Sequence, residues 1–335
     1  MRYGLIFLTL IFFFSCQNHS VKEQSSYSLE DITERDNIVY EVNTSKKITG
    51  ILQGYYTSEE LDLDTTTTNK NTKPLKYVLR YRDGKKEGLA QRFFPSGQLQ
   101  LEVMYKNNKK EGVETKYYSS GRILYKIPYK EGKKEGNATN YYEAGTIKAN
   151  TFYRNDKKDG LEKLYYPSGK VHFEIPYRQG LIEGELKQYY ESGQLKYQTT
   201  YHLDKKDGIK KGFYESGTLA VELYYKNGLK EGLRKSYYES GKLKEMVSFK
   251  NNQMLGTLKS YYPSGKLKSE IPLKNNQAHG FIKNYNEDGI IISEYPYING
   301  RLNGIAKIYD NEGNLIAQKI YKKGKKLDSN ISNSN

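Results

Sequence analysis

One cysteine, no tryptophan, four methionines, four histidines and eight prolines are all that 335 residues contain of these types. With Cys16 alone, no intramolecular disulfide can form, and a thiol nucleophile has no partner nearby. Of the histidines, His19 precedes the periodic part of the chain and His172, His202 and His279 occupy three different registers a unit or more apart, so their spacing implies no metal site. No nucleophile elbow, phosphate-cradling glycine loop or HExxH pattern occurs, and the sequence points to no catalytic residue, cofactor or metal. Aliphatic side chains are scarce, which excludes a deep globular core. The one long apolar run, Leu5 to Phe14, is too short to span a bilayer.

What is abundant is tyrosine, at 34 residues, and glycine, at 30. Gly88 recurs every 24 residues as far as Gly304, and Gly97 does the same as far as Gly313, ten copies of each without an insertion or deletion. A period of this length, kept so strictly, marks a repeat array. Within each unit the residues Leu99, Leu101, Val103 and Tyr105 alternate with polar ones, as do Val171, Phe173, Ile175 and Tyr177. That is a strand pattern with one face inward. The preceding segment ends in an aromatic pair, such as Tyr117-Tyr118 or Tyr165-Tyr166, residues suited to a pleated, half-buried surface.

Two turns complete a hairpin. One position holds Gly84, Asn108, Gly132, Asp156 and their successors to Gly324, and only Gly, Asn or Asp ever appears there. These are the residues that best tolerate a left-handed backbone. The other turn carries Ser-Gly, as at Ser168-Gly169. Pro128, Pro176, Pro272 and Pro296 share one register of the second strand, where a missing N–H is expected to interrupt or bend the ladder between units. The fold class expected is all-β: an elongated array of ten 24-residue hairpins, with a degenerate N-terminal unit.

Residues 1–15 have one cation, Arg2, and then the apolar run, which fits the core of a secretory signal. The segment resembles a bacterial lipoprotein signal, in which the cysteine after a small residue, here Ser15-Cys16, is cleaved and lipidated. Phe13 and Phe14 depart from the usual residues before that pair. Residues 16–47 are polar and read as a flexible tether. Residues 48–74 hold a worn copy of the repeat around Tyr55-Tyr56, followed by a Thr-rich insert, and serve as a cap. The regular array occupies 75–326, and 327–335 is a low-complexity tail.

The net charge of +15 lies largely in turn doublets such as Lys109-Lys110 and Lys157-Lys158, most of them followed by an acid. They read as solvated turns or, alternatively, as a basic stripe for anionic lipid, polysaccharide or nucleic acid. In a flat strand one ring of each aromatic pair points inward and the other outward. Tyr118, Tyr142, Tyr166, Tyr190, Tyr214, Tyr238 and Tyr262 are thereby candidates for an exposed aromatic column able to grip a polymer; packing between adjacent hairpins explains the same column without a ligand and is the favoured reading. Leu181-Ile182 and Met254-Leu255 replace the usual charged turn residues and could mark a partner contact.

The unit from Phe213 to Gly232, and that from Tyr261 to Gly280, resemble the MORN-repeat variant in both glycine registers and the aromatic pair. The resemblance implies an extended hairpin sheet used for binding, scaffolding or self-association, of the kind found in bacterial lipoproteins and in antitoxin-family proteins. The expected protein is a non-enzymatic envelope lipoprotein that binds a protein or polymer partner. It is anchored through Cys16, in the outer membrane or at the cell surface rather than in the inner membrane. The alternative is an antitoxin or immunity protein neutralising a toxin. Nucleic acid ranks below both, because export separates it from the chain.

Overall fold

The computed structural model describes residues 25–57, 59–61 and 73–327. The signal segment, Cys16 and most of the Thr-rich insert lie outside these residues. From residue 50 onward the described chain forms a single sheet of successive antiparallel pairings, in which a split arm such as Lys85–Lys86 with Gly88–Phe93 pairs as two short strands with Leu75–Arg82; counting the parallel strand Ser26–Tyr27, 30 strands belong to it. It does not close.

The alternation seen in the sequence sets the two faces. Leu101, Val103 and Tyr105 pair across the hairpin with Arg92, Ala90 and Gly88, and this face carries the core: Val103 and Val247 are each only 2% exposed. Small residues lie at the centre of the strands and aromatic rings toward one end, in the register running from Tyr81 through Tyr105, Tyr129 and Tyr153 to Tyr225. The core is thin, so each hairpin depends on its neighbours.

Both central residues of the two-residue turns are left-handed, for example Asn107 at φ 49° with Asn108 at φ 66°, and Gln179 at φ 52° with Gly180 at φ 90°. This is the primed turn whose twist matches its flanking strands. The sequence identified only the second of these positions. The first also accepts Glu131, Gln179, Leu203 and Lys323, because a neighbouring unit holds it. The Glu111 carboxylate accepts the Glu131 N–H at 2.8 Å, and Glu183 accepts that of Leu203 at 2.9 Å. The turn acids thus cap the following unit rather than merely offset the lysines beside them.

After each of Pro128, Pro176, Pro272 and Pro296 the next strand is broken in two, as at Lys133–Lys134 and Gly136–Tyr141. After Met104, Thr200, Tyr224 and Ser248 it is continuous, as in Lys205–Phe213. The expected interruption is present. Arg80 and Phe152 are followed by the same break without a proline.

The tether expectation is corrected over its second half. Ser26–Tyr27 adds a parallel strand beside Gly50–Tyr55, and Ile32–Arg35 pairs with Ile38–Glu41 through a left-handed Asp36-Asn37 turn. Val39 and Ile48 bury against Leu52 and Tyr81. The Val39 N–H donates to the Gly84 carbonyl at 2.9 Å, and the Gly84 N–H to that of Ile48 at 2.8 Å. Val39 and Ile48, with Ile32 packed against them, are enough here because the first edge of the array supplies the rest of the surface to bury.

Candidate functional site

The second tyrosine of each pair falls just beyond its strand, where the chain begins the Ser-Gly turn. Its ring is half-buried, not exposed. Its hydroxyl donates to a backbone carbonyl of the next unit: Tyr118 to Tyr141, Tyr142 to Tyr165, Tyr166 to Tyr189 and Tyr190 to Phe213, at 2.8–2.9 Å. Tyr214, Tyr238 and Tyr262 repeat the bond to Tyr237, Tyr261 and Tyr285 at 2.7 Å. One face of several rings is also covered. Lys148, Lys196, Lys244 and Lys268 lie 5.0–5.6 Å from the ring centroids of Tyr142, Tyr190, Tyr238 and Tyr262, and His172 stacks on Tyr166 at 4.1 Å. The expected exposed column is therefore a clasp between hairpins. Asn286 and Asp310, which lack the ring, accept from Ile290 N–H at 2.9 Å and Asn314 N–H at 2.7 Å within their own turns, and Asn286 Nδ2 also donates to the Asn311 carbonyl of the next unit at 3.2 Å.

The first tyrosine of the pair belongs to the opposite face. Tyr117, Tyr189, Tyr237, Tyr285 and Tyr309 donate at 2.8–2.9 Å to Glu102, Glu174, Glu222, Glu270 and Glu294. Across the strands Lys163 and Lys259 pair with Glu174 and Glu270 at 3.1 and 3.0 Å. Every glutamate in this register faces a tyrosine, and Val78 and Gln198 face Phe93 and Phe213, but the coupling runs one way: Tyr141, Tyr165 and Tyr261 keep their hydroxyls opposite Lys126, Asn150 and Met246. That coupling was readable in the sequence as a spacing of 15 residues.

Burial, followed by the facing carboxylate, pushes Tyr117, Tyr189, Tyr237 and Tyr285 up to about 12. An ordinary phenol ionises near pH 10. Because the folded value is the higher one, this stability is complete below pH 10 and is lost as pH rises toward 12. A titration followed by tyrosinate absorbance together with circular dichroism is expected to show these hydroxyls ionising only as the sheet unfolds in that window. Ionisation near pH 10 with the sheet intact would refute it.

On the core face, lysines lie over the rings of the neighbouring strand: Lys110 over Tyr129 at 4.7 Å, Lys158 over Tyr177 at 4.7 Å and Lys206 over Tyr225 at 5.2 Å. Two of them reach buried carboxylates. Lys110 bonds Glu114, and Lys158 bonds Glu162 at 2.7 and 2.9 Å. Ile182 and Met254 occupy the same register as these lysines.

Among the described residues no three His, Cys, Asp or Glu side chains converge as metal ligands, and no helix is long and apolar enough to cross a membrane. His172, His202 and His279 make separate contacts, to Gln188, Glu183 and Asn299.

The architecture defines an open-sheet repeat protein of stacked hairpins, clasped unit to unit by tyrosines. Nine stretches, residues 86–107, 110–131, 134–155, 158–179, 182–202, 206–227, 230–251, 254–275 and 302–323, match the MORN repeat variant family, and the chain belongs to it. No curated protein matches the sequence. Among solved structures, an alternansucrase in complex with isomaltononaose is 12% identical over 74% of this chain and 18% of its own, with a TM-score of 0.19. A TcdB2-TccC3-Cdc42 structure is 11% identical over 85% of this chain and 20% of its own, at 0.14. The chain thus spans no more than a fifth of either, and superpositions this poor bear on neither fold nor function.

Proposed function

We propose that this chain is a non-enzymatic binding protein of the cell envelope, anchored by a lipid on Cys16, whose array presents a periodic surface to a protein partner. The observation that carries the reading is a row of apolar side chains on the face opposite the core. Val113, Leu161, Ile209, Phe281 and Ile305 are 44–51% exposed at a common register, which Leu233 also fills and Asn137, Glu185 and Thr257 interrupt. They lie beside lysines and glutamates and contribute nothing to the core. A recurrent apolar row rimmed by charge is the composition of an association surface. A protein partner is favoured over a stacked polymer because the tyrosine column that would grip a polymer is used between units.

The test is membrane fractionation of the wild type beside Cys16→Ala, with the mass of the mature N-terminus and cross-linking in whole cells. Wild type is expected in the membrane fraction, with a lipid-modified cysteine at its N-terminus and a protein cross-linked to it, and the variant is expected to be released. Finding both soluble and uncleaved would remove the envelope from the account.

A further inference from the structure

The buried carboxylate of Glu162 is held by a small cradle. Thr151 Oγ1 donates to it at 2.8 Å, and Lys158 donates at 2.7 and 2.9 Å while lying over Tyr177. Two periods further on, the cradle recurs without its acid. Thr199 replaces Thr151, Lys206 replaces Lys158 and again lies over a ring, that of Tyr225, but the position of Glu162 is Lys210. Thr199 is 1% exposed, and its hydroxyl is a buried polar atom with no hydrogen-bond partner among the described residues. Such an orphan is uncommon and calls for an acceptor.

Lys210 pairs directly with Thr199 across the strands and turns its ammonium over Tyr197, 5.0 Å from the centroid. In the next unit Lys230 lies over Phe249 at 5.2 Å. The charges around these three lysines are otherwise committed: Arg234 to Glu245 at 2.5 Å, Asp204 to the Ile182 N–H at 2.6 Å and Asp207 to the Asn227 N–H at 3.4 Å. Burial lowers the Lys210 pKa, and the nearby Lys206 and Lys230 lower it further. Ile182 and Met254, in the register of Lys206 and Lys230, bracket the cluster with apolar side chains.

We propose that Thr199, Lys206, Lys210 and Lys230 form a docking site for a carboxylate side chain from an acidic segment of a protein partner, seated where the Glu162 carboxylate sits two units earlier. The chemistry follows from that precedent: an internal carboxylate already satisfies the same threonine and lysine. The inference rests on the binding reading and goes beyond it by adding a carboxylate site on the core face, opposite the apolar row.

The test is fluorescence anisotropy of a fluorescein-labelled hexaglutamate peptide against the detergent-solubilised full chain at low salt. Three variants are compared with wild type: Lys210→Glu, Lys210→Met and, as an equal charge change in a turn two units away, Lys157→Glu. Wild type is expected to bind. Lys210→Glu should raise Kd at least about 10-fold and Lys210→Met several-fold, with Lys157→Glu within about two-fold, the differences expected of charge-assisted bonds. Because Lys210→Glu rebuilds the internal cradle, its melting temperature should equal or exceed that of wild type. The proposal is overturned if wild type does not bind, if both Glu variants weaken binding equally, if Lys210→Glu melts lower, or if inorganic phosphate displaces the peptide where succinate at equal ionic strength does not. Fractionation of Cys16→Ala reads anchoring alone, so either result can fail without the other.

Discussion

Glu162→Ala should destabilise the array by about 3 kcal/mol, the low end of what removing one partner of a buried ion pair costs. The Glu162 side chain is 8% exposed and that of Lys158 32%. Loss of the carboxylate strands the Lys158 ammonium over Tyr177 and leaves the Thr151 hydroxyl without its acceptor. Burial alone would lower the Lys158 pKa, yet its bond and attraction to Glu162 raise it, so the pair favours the charged form. The chain also contains an apolar version of this position. Ile182 and Leu186 occupy the registers of Lys158 and Glu162, and Leu186 is buried. The triple variant Thr151→Ile, Lys158→Ile and Glu162→Leu, which copies Ile175, Ile182 and Leu186 and so leaves no orphaned hydroxyl, should therefore recover to within about 1 kcal/mol of wild type, since well-packed apolar residues commonly match a buried ion pair. Urea unfolding followed by circular dichroism measures both. Equal losses in the single and triple variants would show that the site needs charge, and no loss in the single would show that the pair is solvated.

Much of the fold was legible because the sequence states it ten times over. The strict period defines the units, alternation such as Leu101, Val103, Tyr105 selects the core face, and the Gly, Asn or Asp position marks the turn, while the bulge that turns Leu99 away to pair with Phe93 is not visible in the alternation. The hairpin Ile32–Arg35 with Ile38–Glu41 was missed because its apolar residues are few and its stability comes from the array edge rather than from its own sequence. For the tyrosine column the sequence favoured packing between hairpins but left the ring exposed and its partner unnamed, for a related reason. Strand alternation places a ring on a face, but the acceptor that engages Tyr118 lies 23 residues on, and a local pattern does not show it. The site at Lys210 was written in the sequence as a broken register, Thr-Lys-Glu becoming Thr-Lys-Lys at positions 199, 206 and 210. Only the Thr151 to Glu162 bond shows what that change removes.

The clasp between units is the central claim, because an isolated hairpin is marginal and the array is stable only through its interfaces. Replacing Tyr118, Tyr142, Tyr166, Tyr190, Tyr214, Tyr238 and Tyr262 together by Phe keeps every ring and removes only the hydroxyls that bind the next unit. Each such bond contributes about 0.5–1.5 kcal/mol net, so the seven together should cost roughly 4–10 kcal/mol. These bonds also couple adjacent units, so their loss should broaden the unfolding transition as the array ceases to melt as one body. The decisive measurement is urea unfolding of this sevenfold variant beside wild type, read by circular dichroism. A lower midpoint and a broader transition, with partner cross-linking retained by the folded variant, is the result this account predicts. An unchanged midpoint with partner binding lost would show that the tyrosines face a ligand after all.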